Sequence, residues 1–203
     1  FHVTLENHTM IIKVGITYLE MTNRSQLNPR RSDVVGLEIK RAELPLPEFN
    51  RFLYTAVGGD WYWVDRLGWT YQQWKEWVER PDMHTWIAYM NDTPIGYFEL
   101  DKEENYVEIS KFGLVGSAIG SGLGAHLLTE CVKRAWEMGP SRVQLDTCTL
   151  DHPGALHNYQ ARGFKIYDTG TYTADVPGRP IGPWPDSRRT LNPDAPVASD
   201  LLR

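Results

Sequence analysis

A chain of 203 residues, 41% of them hydrophobic, suffices for one α/β domain with a real core. A net charge of −5 and the lack of any basic run argue against nucleic acid or an anionic membrane as the main partner. Two cysteines, Cys131 and Cys148, make no disulfide framework, and no apolar run nears the roughly 18 residues of a membrane span, so a cytoplasmic protein is expected.

Residues 1–9 read as a vector-derived or upstream leader, since the chain opens on Phe1 and Met10 offers a start. Residues 11–21 and 34–42 carry the β-rich alternation of strands, with a polar turn at Asn28-Pro29 between them. Pro47 suits the first turn of a helix that runs to about Val57 and stops at Gly58-Gly59, and Thr70 is the N-cap of a second helix ending before Pro81. Trp61, Trp63, Trp69, Trp74 and Trp77 crowd this region with Tyr62, Asp60 and Asp65. Two readings stay open for them: packing between helices and sheet, or a pocket in which an aromatic grips an apolar body and Asp60 or Asp65 attracts a cation.

Residues 84–90, 95–101 and 106–114 follow as three strands joined by NDTP and KEEN, links too short for anything but antiparallel pairing. The third strand then runs through Gly116, Gly120, Gly122 and Gly124 into a helix that ends at Met138. Glycines let the backbone approach a bulky anion, and the unpaired N–H groups of a helix start favour negative charge, so the expected ligand is a phosphate or pyrophosphate. The same residues satisfy G-x-G-x-x-A, with Asp146 about 20 residues further on, as in a dinucleotide fingerprint. Against that reading, the strand feeding the loop ends an antiparallel meander, and too little chain remains for repeated βαβ units.

Residues 141–149 form the next strand, 153–161 a helix and 164–175 a closing strand. The helix after the glycine loop crosses between two strands, which are therefore parallel. The fold class expected is α/β, with a mixed, mostly antiparallel central sheet and flanking helices over residues 10–175. Repeated prolines from Pro177 onward mark residues 176–203 as a Pro-rich C-terminal tail, with Trp184 as a point where it could dock on its own domain or on a partner.

This order of elements, with residues 108–128 and 151–164, resembles the GNAT superfamily of acyl-CoA-dependent N-acetyltransferases over roughly residues 47–175. The family signature Gln/Arg-x-x-Gly-x-Gly/Ala is matched at Ile119-Gly120-Ser121-Gly122-Leu123-Gly124, followed by Ala125, with Ile119 in place of the usual basic or amide side chain. A second signature, Tyr followed by a helix end and Gly-Phe, appears at Tyr159, Gly163 and Phe164, with His152 where an Asn often precedes that Tyr. The resemblance implies acetyl-CoA as co-substrate, its pyrophosphate cradled by residues 119–125, its pantetheine arm along the strand edge from Phe112 to Leu114 and close to His152. It implies direct attack by a primary amine in a ternary complex, a main-chain oxyanion donor near Leu114, and Tyr159 as the acid that protonates the leaving thiolate. The acceptor is expected to be a small-molecule amine, less so a peptide or protein amine, and a homodimer stays open. So does a non-catalytic acyl-CoA-binding module of the same fold, because of Ile119 and His152.

An ammonium must lose a proton before it attacks, so a base is needed. Glu108 is the candidate: Val107 and Ile109 on either side fit a partial burial that raises its pKa, and its spacing to the glycine loop resembles that of the catalytic glutamate in the histone-acetylating branch. The plain alternative is an ion pair with Lys111 or Arg142, and Glu99 on the adjacent strand is the reserve base. Cys148 as an acyl carrier, with His152 or His157 as its base, is weaker than Cys148 as a small buried hydrophobe. Asp151, His152 and His157 match no zinc spacing, so no metal is expected. Sequons at Asn7, Asn23 and Asn91 matter only in a secreted protein.

Overall fold

The computed structural model describes residues 9–178 and 180–184. Residues 1–8 of the expected leader and residues 179 and 185–203 of the expected tail lie outside the described residues. The chain order is β1 (Thr9–Met21), β2 (Leu37–Arg41), α1 (Pro47–Gly58), α2 (Tyr71–Val78), β3 (Met83–Met90), β4 (Thr93–Lys102), β5 (Tyr106–Leu114), α3 (Leu123–Glu137), β6 (Arg142–Cys148), α4 (Ala155–Ala161) and β7 (Lys165–Pro177). One seven-stranded sheet runs β2-β3-β4-β5-β6-β1-β7, antiparallel throughout except between β5 and β6. The mixed, mostly antiparallel sheet and its single parallel step are thus as the sequence implies.

Three boundaries differ from expectation. Residues 34–36 belong to a turn closed by the Leu37 N–H on the Val34 carbonyl (3.3 Å), with Gly36 at φ +85°, so β2 is shorter than its apolar pattern. At the other end of the sheet, Thr9 pairs with Pro177, which carries β1 into the supposed leader and β7 two residues past Asp175. Two long strands zipped together override the composition change that marked the tail.

On one face of the sheet, Leu127, Leu128, Cys131, Val132 and Ala135 of α3 follow a helical spacing and bury against Leu100, Val107, Val143 and Leu145. Each fully buried Leu or Val among them contributes about 1.5–3 kcal/mol. On the other face Leu53 and Val57 of α1 pack on Ile87 and Tyr97. There Arg66 donates to Glu99 at 2.6 Å, and Asn50, Trp77 and Ser110 also donate to that fully buried carboxylate. Trp77 lies between Arg66 and Arg80, each 4.2 Å from its ring, and Arg80 is anchored on Asp101 (2.7 Å). These pairs fasten α2 and the segment before it to β4.

The step that positions the site is the parting of β5 from β6. Their register holds for only three pairs, Tyr106 with Arg142, Val107 with Val143 and Glu108 with Gln144. Beyond Glu108, β5 carries a bulge at Ser110, where Ile109 pairs with Leu100 but Lys111 with Glu99. A bulge bends and twists its strand. The two parallel strands diverge from that point, and a cleft of about 770 Å³ opens between them.

Candidate active site

At one end of the cleft stands the start of α3. Gly120 and Gly122 have φ of +86° and +80°, and Gly122 is the N-cap of α3 without any side-chain cap. A side chain at either position would meet nothing within 4 Å, so the backbone conformation, not crowding, demands glycine there. The N–H groups of Leu123, Gly124 and Ala125 have no acceptor among the described residues, and the first turn carries no acidic residue. A helix start of this kind favours negative charge through its main chain. Ile119, Gly120, Gly122, Gly124 and Ala125 line the cleft. Ser121 turns its hydroxyl onto the Ala118 carbonyl (2.6 Å), and the Leu123 side chain lies in the core, so these two contribute backbone only.

Along the cleft, Phe112 and Leu114 form the wall on the β5 side, where the strand has no β6 partner beyond Glu108. Opposite them, α4 brings Tyr159 and Asn158; Asn158 donates to the Gly124 carbonyl (3.3 Å) and ties α4 to the start of α3. Tyr159 is 7% exposed and sits edge-on to Phe112 at 6.0 Å. Burial, then the charge of Asp151, pushes its hydroxyl well above the usual phenol range, so it stays protonated at neutral pH. His152 lines the cleft, accepts the Gly154 N–H at Nδ1 (2.9 Å) and meets the Trp61 ring edge-on at 4.9 Å.

The other end is a fork of side chains. Trp61, Tyr62, Trp63 and Asp65 come from the segment after α1, Lys111 from β5, Asp146 and Cys148 from β6, and Tyr172 from β7. Trp69, Trp74 and Trp77 lie instead around Arg66 and α2, so the aromatic run divides between pocket and packing. Asp65 accepts from the Tyr54 hydroxyl (2.6 Å) and from Lys111 (3.4 Å); against burial, Lys111, Tyr54 and Arg66 together hold its carboxyl below the usual range. Asp60 is not part of this lining.

Glu108 sits where the strands part and does not itself line the cleft. Neither expected partner holds it, because Lys111 pairs with Asp65 and Arg142 with Glu20 (3.3 Å). Burial, then the charges of Asp146 and Asp101, raises its carboxyl above the ordinary range. Asp146 does line the cleft; burial, opposed by Lys111, raises it too. Its side chain is at the same time exposed to solvent. Glu99, the reserve base, is fully buried and saturated by its donors, and it lies outside the cleft.

The sequence reading considered Asp146 only as a ribose ligand and Lys111 only as a partner of Glu108. The period-2 alternation of β6, with Val143, Leu145 and Thr147 buried, already puts Gln144 and Asp146 on the face opposite the core. Cys148 lines the cleft as well, but burial and then Asp151 push its thiol up to about 11, a protonated and unreactive state. Asp151 accepts from the Thr147 hydroxyl (2.7 Å) and the Cys148 N–H (3.0 Å), and among the described residues no group of three His, Cys, Asp or Glu side chains converges as a metal site.

The tail reaches this region. Gly182 donates its N–H to the Gly59 carbonyl (3.1 Å), and a side chain on Gly59 would come within 2.6 Å of the Gly182 backbone. The strap therefore docks through glycine contacts beside the segment bearing Trp61, while Trp184 is 68% exposed. Among the described residues no helix is long and apolar enough to cross a membrane.

The acetyltransferase (GNAT) family model matches residues 49–164. Similar folds include a GCN5-related N-acetyltransferase from Kribbella flavida (18% identity, 84% of this chain and 60% of that one, TM-score 0.58). A GCN5-related N-acetyltransferase from Sphaerobacter thermophilus is alike in fold at 16% identity, 83% and 53% coverage and TM-score 0.61. An aminoglycoside acetyltransferase from an uncultured soil metagenomic sample, solved with trehalose, shows 19% identity, 63% and 87% coverage and TM-score 0.52. The chain spans little more than half the length of the first two, and no curated protein matches it. Matched over more than half of its length by the family model, and carrying the strand fork and glycine-rich helix start described above, the chain belongs to the GNAT acetyltransferase family.

Proposed function

We propose that this chain transfers the acetyl group of acetyl-CoA to the primary amine of a small molecule, by direct attack in a ternary complex. One observation carries the reading: because β5 leaves β6 at Glu108, an anion-favouring helix start, an unpaired strand edge and a carboxylate-bearing floor open into a single cavity. The residues fit such a co-substrate, since the first N–H groups of α3 lack acceptors and open space lies over Gly120 and Gly122. Acetyl-CoA supplies the thioester carbonyl that an amine attacks.

The chain's own groups do the rest. The N–H groups of Leu123, Gly124 and Ala125 bind pyrophosphate, and the loop from Ile119 through Ser121 and Gly122 presents them. The β5 edge from Phe112 to Leu114 orients the pantetheine arm, with His152 across the cleft. A main-chain N–H near Leu114, already fixed by the sheet, stabilises the developing oxyanion without reorganisation. Glu108 and Asp146, whose raised pKa values bring them closer to neutrality, take the ammonium proton, Asp146 from the cleft side and Glu108 behind it. Tyr159 holds a proton at its hydroxyl for the departing sulfur.

The test is turnover: purified protein, acetyl-CoA and a panel of amines, followed by thiol release and by mass spectrometry of the amide. Equal amounts of free thiol and N-acetyl product support the reading. Tight acetyl-CoA binding without any amide supports instead a non-catalytic acyl-CoA-binding module. That second reading is favoured by His152, which stands in the place of the family's Asn and already uses Nδ1 on the Gly154 N–H.

A further inference from the structure

The segment between β1 and β2 lies on α3 and α4 and is fastened there by its main chain. The Asn28 N–H donates to the Arg162 carbonyl (3.0 Å) at the end of α4, the Arg30 N–H to the Thr129 hydroxyl (2.9 Å) and the Ser32 N–H to Nδ1 of His126 (3.1 Å) on α3. From Thr129 to His126 the contacts move towards the start of α3, and the segment carries Arg30 and Arg31 in that direction. Backbone donors make these bonds, so the arginine side chains are not needed to hold the segment.

Arg162 approaches the same place from α4. It follows Asn158 by four residues, about one helical turn on the same face, and Asn158 donates to the Gly124 carbonyl (3.3 Å) in the first turn of α3. Burial, then the charge of Arg30, lowers the Arg162 guanidinium below its ordinary range, so two like charges stand close together. Neither forms a salt bridge with Asp33 or any other carboxylate among the described residues, and Nε of Arg162 is buried without a hydrogen-bond partner there. Glu130, next to Thr129, is taken by Lys133 (2.7 Å) and Arg134 (2.6 Å).

In a chain of net charge −5, two close guanidinium groups without a counter-charge mark a place that favours an anion. Main-chain N–H groups at a helix start offer only partial charge, which suits a diphosphate diester. A phosphate monoester, with roughly −1.5 to −2 charge at neutral pH, suits full positive charge and the paired donors of arginine. Coenzyme A carries both groups, the diphosphate and a 3′-phosphate monoester on the ribose beside it.

We propose that Arg30 and Arg162 hold the ribose 3′-phosphate of the acyl donor, at a site outside the cleft lining and beside the first turns of α3, so that the chain selects CoA thioesters over those lacking that phosphate. This rests on the acetyl-CoA reading of the cleft. Arg31, adjacent in the chain, exerts no such influence on Arg162 and serves as a control of equal charge.

The experiment is calorimetric titration of the full chain with acetyl-CoA and with 3′-dephospho-acetyl-CoA, in the wild type and in Arg30→Gln, Arg162→Gln and Arg31→Gln. The proposal expects the wild type to bind acetyl-CoA about tenfold more tightly than the dephospho compound. Arg30→Gln and Arg162→Gln should each reduce that ratio to about threefold or less, with affinity for the dephospho compound unchanged, while Arg31→Gln keeps the full ratio. Unchanged affinity for the dephospho compound also shows that each variant is folded. Equal binding of the two compounds by the wild type, a ratio that survives in both Arg30→Gln and Arg162→Gln, or an equal fall in Arg31→Gln overturns the phosphate site and leaves the co-substrate reading in place. Absence of binding by either compound overturns that reading, and the phosphate site with it.

Discussion

At the α3 end of the cleft the polar groups are main-chain N–H groups presented by Gly120, Gly122 and Gly124, whereas at the fork end they are side chains drawn from four separate stretches of chain. The first end is built by local conformation and needs no distant partner. The second exists only because α1, the segment after it, β5, β6 and β7 converge, and because the tail strap meets Gly59. A backbone cradle tolerates side-chain change and resists backbone change. A side-chain fork does the reverse.

The largest effect expected on chemistry comes from the wall between the two ends. Tyr159→Phe should lower kcat by roughly 10² to 10⁴ with acetyl-CoA affinity almost unchanged, as read by steady-state kinetics beside calorimetry; an unaltered kcat removes Tyr159 from the acid role. Glu99→Ala separates scaffold from fork. It leaves the buried Arg66 with only the more distant Asp65 carboxylate (3.9 Å) as an ionic partner and should cost about 3–5 kcal/mol of stability in denaturant unfolding, while the acid limb of the pH–rate profile stays where it was. A moved limb would restore Glu99 as a base.

Glu108→Gln and Asp146→Asn act on the fork itself. A carboxylate must be ionised to accept a proton, and both groups titrate above the ordinary carboxylate range, so the rate should fall as pH drops through those raised values. Each variant should lose about 10² in kcat near neutrality and shift or abolish that acid limb. The smallest effect concerns the strap. Truncation after Pro177 removes the Gly182 to Gly59 hydrogen bond, worth about 1 kcal/mol, and should raise the acceptor KM roughly fivefold without touching acetyl-CoA affinity. Equal losses for both substrates would mean that the strap supports the whole domain.

The same contrast governs what the sequence discloses. Glycine spacing, the helix that follows and the short links of the meander are local signals, so the glycine-rich start of α3, the antiparallel strands and the parallel β5–β6 step were legible from residue order alone. The parting of β5 from β6 depends on a bulge at Ser110, which no local pattern announces. Asp146 was therefore visible as a strand residue but not as the floor of a cleft. Glu99 looked like a base because its strand neighbours Glu108; its donors Arg66, Asn50 and Trp77 come from two helices and a loop that only the fold brings together. The strands Thr9–Met21 and Lys165–Pro177 overran both expected domain edges because their pairing is long-range.

The most direct measurement is calorimetric titration of acetyl-CoA into the wild-type chain and into Gly122→Val, with NADH as a parallel ligand. Gly122 sits at φ +80° with open space around it, so valine strains the backbone by about 1–2 kcal/mol while leaving every fork side chain in place. The account predicts that acetyl-CoA binds, that NADH does not, and that Gly122→Val weakens acetyl-CoA binding roughly tenfold. Equal affinity in the two proteins, or binding of NADH alone, would contradict a main-chain cradle for acyl-CoA.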